Sequence, residues 1–294
     1  MQDELIRATA DQGKIRFIGA RTTRLVSVAQ QKHQTWPVAT AALGRTLTAS
    51  ALMGSMLKAE DRMTLRILGD GPLGAIVAQG DAKGQVRGYV QNPTIELPPT
   101  PEGKLDVGRG VGKEGHIHVT RDLGLKDTFT GTSALVSGEI AEDLTHYFFT
   151  SEQTPSAVAL GVLIDVDGSV LEAGGYIVQL MPGADDKTID LLEQCIARLG
   201  PISKYLADGK STKEMMEDLL GELDPKILNS YEPEFSCGCD RERLSALLKS
   251  FGPDELADMR REQGGAEAIC HFCSEKYQFS ADELLAWEQE LRET

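Results

Sequence analysis

The sequence has no run of about 18 apolar residues, so no segment is expected to cross a membrane as a helix. Its start, Met1-Gln2-Asp3-Glu4-Leu5-Ile6-Arg7, lacks the basic-then-apolar order of a secretory signal, and the expected compartment is the cytoplasm. Positive charge is short: 30 Lys and Arg face 45 Asp and Glu, a formal net charge of −15. General nucleic-acid binding needs a cationic footprint to displace counterions, so that class is disfavoured. Catalytic signatures are missing too. Gly108-Arg109-Gly110-Val111-Gly112-Lys113-Glu114 lacks the spacing of a phosphate loop, and Glu114 would repel a phosphate, so it reads as a glycine-rich loop. His116 and His118 share one strand face but have no third ligand nearby in sequence. Asp165, Asp167, Asp185 and Asp186 read as turn and cap residues. The expectation is a protein that is not an enzyme, with no catalytic residues.

What is present is ordinary globular composition, 41% hydrophobic and 26% charged, over 294 residues. The charge is unevenly spread. Residues 1–182 carry 17 basic against 20 acidic side chains, and residues 183–294 carry 13 against 25, which suggests a boundary near residue 182. In the first part, residues 14–23 and 25–31 read as paired strands, and residues 36–58 as a long buried helix with Pro37 in its first turn. Short glycine-punctuated strands follow at 62–69, 74–79 and 85–90, with a further hairpin at 115–121 and 127–135. Ser137 is expected to open a helix to about Ser151, and Asp167-Gly168 to turn a hairpin between 157–166 and 168–180. Residues 185–199 and 212–223 fit amphipathic helices. In the second, Met215, Met216, Leu219, Leu220 and Leu223 share one side. That stripe must rest on something: either as ordinary packing on the first domain, or as a metastable element able to detach. Asp240, Pro253 and Ser280 then mark the starts of three helices.

Four of the five cysteines lie in the last 58 residues, as Cys237-Gly-Cys239 and Cys270-His-Phe-Cys273, with thirty residues between the pairs. In a reducing compartment such a cluster points to metal binding or redox sensing more than to a static disulfide framework. Four thiolates suit zinc, which is redox-inert and takes a tetrahedral sulfur shell. Gly238 supplies a permissive backbone for the tighter pair, and His271 reads as a bystander to the four sulfurs. Spacing leaves three readings open: a structural metal knot, a redox sensor, or one converting into the other. A domain this small has a thin core and needs a staple, so loss of a metal would unfold it.

These cysteines in a carboxyl-terminal domain resemble the heat-shock protein 33 family, the 33 kDa chaperonins. The resemblance extends through His33-Gln34-Thr35-Trp36-Pro37 and Leu43-Gly44-Arg45-Thr46-Leu47-Thr48-Ala49 to Gly69-Asp70-Gly71-Pro72-Leu73-Gly74. It continues in Arg87-Gly88-Tyr89-Val90, Thr154-Pro155-Ser156-Ala157-Val158-Ala159-Leu160-Gly161-Val162 and Gly174-Gly175-Tyr176, and covers essentially the whole chain. Cys195 falls outside the family motif and reads as a small buried residue. The resemblance implies a redox-regulated, ATP-independent holdase whose reduced form binds one zinc ion through Cys237, Cys239, Cys270 and Cys273 and is inactive. Oxidation by hypochlorous acid, or by peroxide with heat, is implied to form disulfides Cys237–Cys239 and Cys270–Cys273, to release zinc and to unfold the switch domain. Partners implied are unfolding client proteins and, in the active form, a second copy; neither nucleic acid nor membrane is expected.

The expected architecture is α+β: a mixed core over 1–182, an amphipathic helical linker over 183–231, and a small, mainly helical zinc domain over 232–294. The rival reading is a nucleic-acid-binding protein with a purely structural four-cysteine zinc module. Its weakness is charge, since residues 232–294 carry 15 acidic and 7 basic side chains. A thiol–disulfide oxidoreductase would want the second pair at a helix amino terminus after a thioredoxin-like strand, which residues 266–269 do not offer.

Overall fold

A computed structural model describes residues 2–125 and 127–293. The chain divides into two units, Met1–Ser236 and Cys237–Thr294. Among the described residues no helix is long and apolar enough to cross a membrane.

The first unit opens with strands β1 (Glu4–Ala10) and β2 (Ile15–Arg21), paired antiparallel with Ala8 opposite Phe17. The expected strand at 25–31 is instead part of helix α1 (Thr23–His33). The Asp3 carboxylate accepts from the backbone N–H groups of Arg24 at 3.0 Å and Leu25 at 2.8 Å, filling donors that a helix start leaves open. Leu25, Val26 and Ala29 then fall on one buried face, and this tertiary fit overrides the strand preference of the Val-rich stretch. Helix α2 (Pro37–Gly54) follows as expected, with proline in its first turn and every residue from Val38 onward buried except Arg45. Two of its buried hydroxyls return to its own backbone, Thr46 to Ala42 O and Thr48 to Gly44 O, both at 2.8 Å, so burial leaves those two satisfied.

Next come β3 (Arg62–Gly69), β4 (Ala75–Asp81) and β5 (Gln85–Val90), then a short helix α3 (Val107–Val111) where a loop was expected. Asp106 caps α3 by accepting from the Arg109 N–H at 3.0 Å. The hairpin β6 (Gly115–Asp122) and β7 (Phe129–Ala134) leads to α4 (Ala141–Thr150), which starts at Ala141 rather than at Ser137. The buried Asp143 carboxylate accepts from the N–H groups of Val136, Ser137, Gly138 and Ile140, and so winds the preceding segment around itself. Strands β8 (Ser156–Ile164) and β9 (Val170–Leu180) form the expected hairpin. Helices α5 (Asp186–Leu199), α6 (Ile202–Ala207) and α7 (Thr212–Leu220) precede strands β10 (Lys226–Tyr231) and β11 (Glu234–Phe235). Neither α6 nor the two strands was legible in the sequence.

Two sheets organise this unit. One runs β10-β1-β2-β9-β8 and the other β11-β5-β4-β3-β6-β7. Helix α2 packs against strands of both, and a Cβ on Gly80 of β4 would stand 2.2 Å from the Ser50 carbonyl oxygen of α2. No residue larger than glycine fits that approach. One face of the first sheet, with Leu5, Ile18, Ala20 and Ile177, belongs to the same core as α2. Its other face, with Ile6, Ala8, Phe17 and Val178, packs against Leu192, Leu206, Met215, Met216 and Leu219 from α5–α7. The Met/Leu stripe read from the sequence therefore lies on the sheet. Cys195 is a buried free thiol in that layer. Arg21, buried beneath it, pairs with Glu172 at 2.9 Å and donates to the Leu206 carbonyl at 3.0 Å.

The second unit contains α8 (Arg241–Lys249), α9 (Pro253–Gln263), the hairpin β12 (Gly265–Ile269) and β13 (Lys276–Ser280), and α10 (Ala281–Arg292). The three helices start where the sequence placed them, with Asp240 accepting from the Arg243 N–H and Ser280 forming a capping box with Glu283. The hairpin was not expected. The fully buried apolar core is small: Leu248, Leu256, Phe279 and Leu284.

Replacing Asp143 by alanine strands several buried N–H groups at once, and the expected loss is about 3 kcal/mol, read as a lowered denaturant midpoint of the first unit. A loss near zero would mean that water replaces the carboxylate at no cost.

Candidate metal centre

The hairpin turn of the second unit carries one cysteine pair. Ile269 ends β12, Lys276 begins β13, and the intervening chain folds back through backbone bonds from Cys273 N–H to Cys270 O at 3.3 Å and Ser274 N–H to Cys270 O at 2.7 Å. Ser274 adopts a left-handed φ of 58°, which closes the turn. The other pair precedes α8, whose Asp240 cap fixes the start of the helix. Arg243 Nη1 donates to the Gly238 carbonyl at 2.6 Å and holds the Cys237-Gly-Cys239 bend. Gly238 itself is not in the left-handed region, and a Cβ there would meet only Arg243 Nη1 at 3.4 Å. The permissive backbone expected of it is not used.

The two pairs converge. All four Sγ atoms lie within 4.8 Å of one another. Cys237 and Cys270 are 3.7 Å apart and Cys239 and Cys273 3.3 Å apart, far longer than a covalent S–S bond of about 2.05 Å. Bonds of about 2.3 Å to a central tetrahedral ion require sulfurs about 3.8 Å apart, so the cluster fits such an ion with small adjustments. His271 is exposed and outside the group, and among the described residues these four sulfurs are the only set of three or more donors close enough to hold a metal. His116 and His118 do stand side by side, with ring centroids 6.0 Å apart, but no further ligand joins them.

Burial sets the proton affinity of the cluster. Burial pushes the Cys270 and Cys273 thiols above their usual range, because a desolvated thiolate has no counter-charge nearby. A divalent ion reverses that logic and deprotonates its ligands. Donors for the resulting thiolates are in place: the Phe272 N–H at Cys270 and the Glu275 N–H at Cys273. Tyr277 Oη lies 3.4 Å from Cys239 Sγ and 3.3 Å from the Cys239 carbonyl. That hydrogen bond to Cys239 pushes the Tyr277 phenol above its usual range. Neither Tyr277 nor Arg243 was singled out by sequence reasoning. The available signal was the two-residue alternation of Ala266, Ala268, Tyr277 and Phe279 on either side of the second pair.

A mixed α+β body followed by a small unit closed on four thiols defines a two-unit protein whose distinctive site is a metal-capable cysteine cluster. A family model described as Hsp33 protein matches residues 3–280, and the chain belongs to that family. It is 55% identical to the 33 kDa chaperonin of Desulforamulus reducens, over 97% of this chain and 96% of the relative. It is 49% identical to the 33 kDa chaperonin of Bacillus subtilis, over 96% of this chain and 97% of the relative. The crystal structure of the Thermotoga maritima 33 kDa chaperonin, a heat shock protein 33 homologue, superposes with a TM-score of 0.94 at 37% identity and full coverage of both chains. These relatives are named as chaperonins, and the family is one of chaperones.

Metal affinity should fall as pH drops from about 8 to about 6, because the ion must displace protons from thiols whose pKa values burial has raised. Proton release measured calorimetrically in buffers of different ionisation enthalpy checks this; binding without proton release would contradict it. Cys270→Ser should remove the bound ion and abolish cooperative unfolding of the second unit, followed through Trp287, which packs on Phe279 with ring centroids 5.3 Å apart.

Proposed function

We propose that this protein is a redox-controlled, ATP-independent holdase of the cytoplasm, held inactive by zinc at Cys237, Cys239, Cys270 and Cys273 and activated when those thiols are oxidised. The observation that carries the reading is the cluster itself: four reduced thiols within 4.8 Å, in a unit whose apolar core is a small cluster around Leu248, Leu256, Phe279 and Leu284. Zinc, when bound, would keep the sulfurs as thiolates and supply the cross-link that so thin a core lacks.

Oxidation joins Cys237 to Cys239 and Cys270 to Cys273. Each new S–S bond takes two electrons from a pair of thiolates; peroxide accepts them with protons from solvent and becomes water, and hypochlorous acid becomes chloride and water. Disulfides offer poor donors, so the ion is no longer held and the second unit loses its staple. The family relationship supports the next step, in which the α5–α7 layer lifts away. Its stripe of Met215, Met216, Leu219 and Leu220 now covers Ile6, Phe17 and Val178, and separating the two leaves apolar surface on both sides. Unfolding clients would find flexible Met/Leu side chains and an apolar sheet face, a surface that adapts to many sequences. A second copy joining in the active form would enlarge that surface. The acidic layer, with ion pairs such as Lys213–Glu217 at 3.6 Å on its outer side, keeps the opened form soluble.

The test compares reduced and oxidised protein in two assays, chromogenic detection of released zinc and suppression of client aggregation. Oxidation should release one equivalent of zinc and raise aggregation suppression together. Oxidised, zinc-free protein that protects clients no better than the reduced form would refute the switch.

A further inference from the structure

We propose that the Tyr277 hydroxyl acts as a brake on Cys239, donating to its sulfur in the metal-bound state and making that thiolate less reactive towards electrophiles than it would otherwise be. The inference rests on the four-cysteine metal reading and specifies how one of its sulfurs is regulated.

Tyr277 stands on β13 opposite Ala268 of β12, with its ring packed against the small core of the second unit. Its oxygen lies 3.4 Å from Cys239 Sγ and 3.3 Å from the Cys239 carbonyl oxygen, so the single phenolic proton has two acceptors within reach. The phenol donates to the Cys239 carbonyl oxygen, and between Oη and Sγ either atom can be the donor. A sulfur held by a cation would only accept, and the phenolic O–H 3.4 Å away would be the donor placed to reach it. Donors at the other pair are of a different kind. Cys270 and Cys273 receive backbone N–H groups, from Phe272 and Glu275, which no side-chain substitution removes. Cys239 is served by a side chain rooted 38 residues away, so its reactivity depends on how β13 is seated. Outer-shell donors of this type tune a metal-bound ligand by drawing charge from it.

A donated hydrogen bond must be weakened as the sulfur lone pair attacks. With iodoacetamide, the Cys239 sulfur bonds to the methylene carbon while the C–I bond breaks and iodide leaves with its electron pair. With hydrogen peroxide, an S–O bond forms as the O–O bond breaks, and the departing hydroxide takes a proton to become water. The Cys237 sulfur then displaces hydroxide from Cys239, and the pair has given two electrons to the peroxide. Both reactions begin at the same lone pair, so both are slowed by the same donor.

The experiment uses the full chain loaded with zinc, as wild type and as Tyr277→Phe, which keeps the packed ring and deletes the oxygen. Brief exposure to iodoacetamide is quenched and alkylation at each cysteine is counted by peptide mass spectrometry. Tyr277→Phe should raise Cys239 alkylation about five-fold relative to Cys270 in the same molecules. An unchanged Cys239-to-Cys270 ratio overturns the proposal, and so does equal acceleration at all four sulfurs, the mark of a merely loosened site. Peroxide-driven zinc release is followed in parallel. If wild-type protein keeps its zinc under peroxide, the redox switch fails, while the alkylation ratio still decides the role of Tyr277.

Discussion

The five-stranded sheet is apolar on both faces, and both must be kept from water. Alternating side chains along β1 and β2 send Leu5, Ile18 and Ala20 one way and Ile6, Phe17 and Ala8 the other. The two solutions differ in kind. On one side, α2 packs against strands of both sheets and buries every residue from Val38 onward except Arg45. On the other, α5–α7 form a single layer with charged side chains facing outward. Each buried Met or Leu contributes about 2 kcal/mol, so that layer is firmly placed. It is still the one covering that could leave without dismantling the central core.

The second unit solves the opposite problem. Leu248, Leu256, Phe279 and Leu284 bury too little surface to offset the entropy of ordering three helices and a hairpin. Here the cohesion must come from chemistry. Four thiols brought within 4.8 Å form a site fitted to a metal ion, the kind of cross-link so small a core lacks. Burial pushes the Cys270 and Cys273 thiols above their usual range.

Local chemistry was legible in the residues wherever it was self-contained. Pro37 at the start of α2, the Asp167-Gly168 turn, and the caps at Asp240 and Ser280 lie where their side chains said they would. Errors arose where a distant residue decides. The segment at 25–31 is a helix because Asp3 caps it, and the start of α4 is displaced because Asp143 gathers the chain before it. Strand β10 exists because Ser230 finds Ile6 across the sheet, a pairing that its own composition does not announce.

Sequence alone determined that each cysteine pair could place two sulfurs on one ion, because a spacing of one or two residues keeps them close, while the convergence of the two pairs needed the fold. It also determined that the Met/Leu stripe of α7 needs a covering, since helical periodicity puts those side chains on one side. Only the tertiary structure decided what that stripe covers, that the second pair sits in a hairpin turn, and that Tyr277 reaches Cys239. Those facts are contacts between segments far apart in the chain, and no local periodicity encodes a distance between segments that only folding brings together.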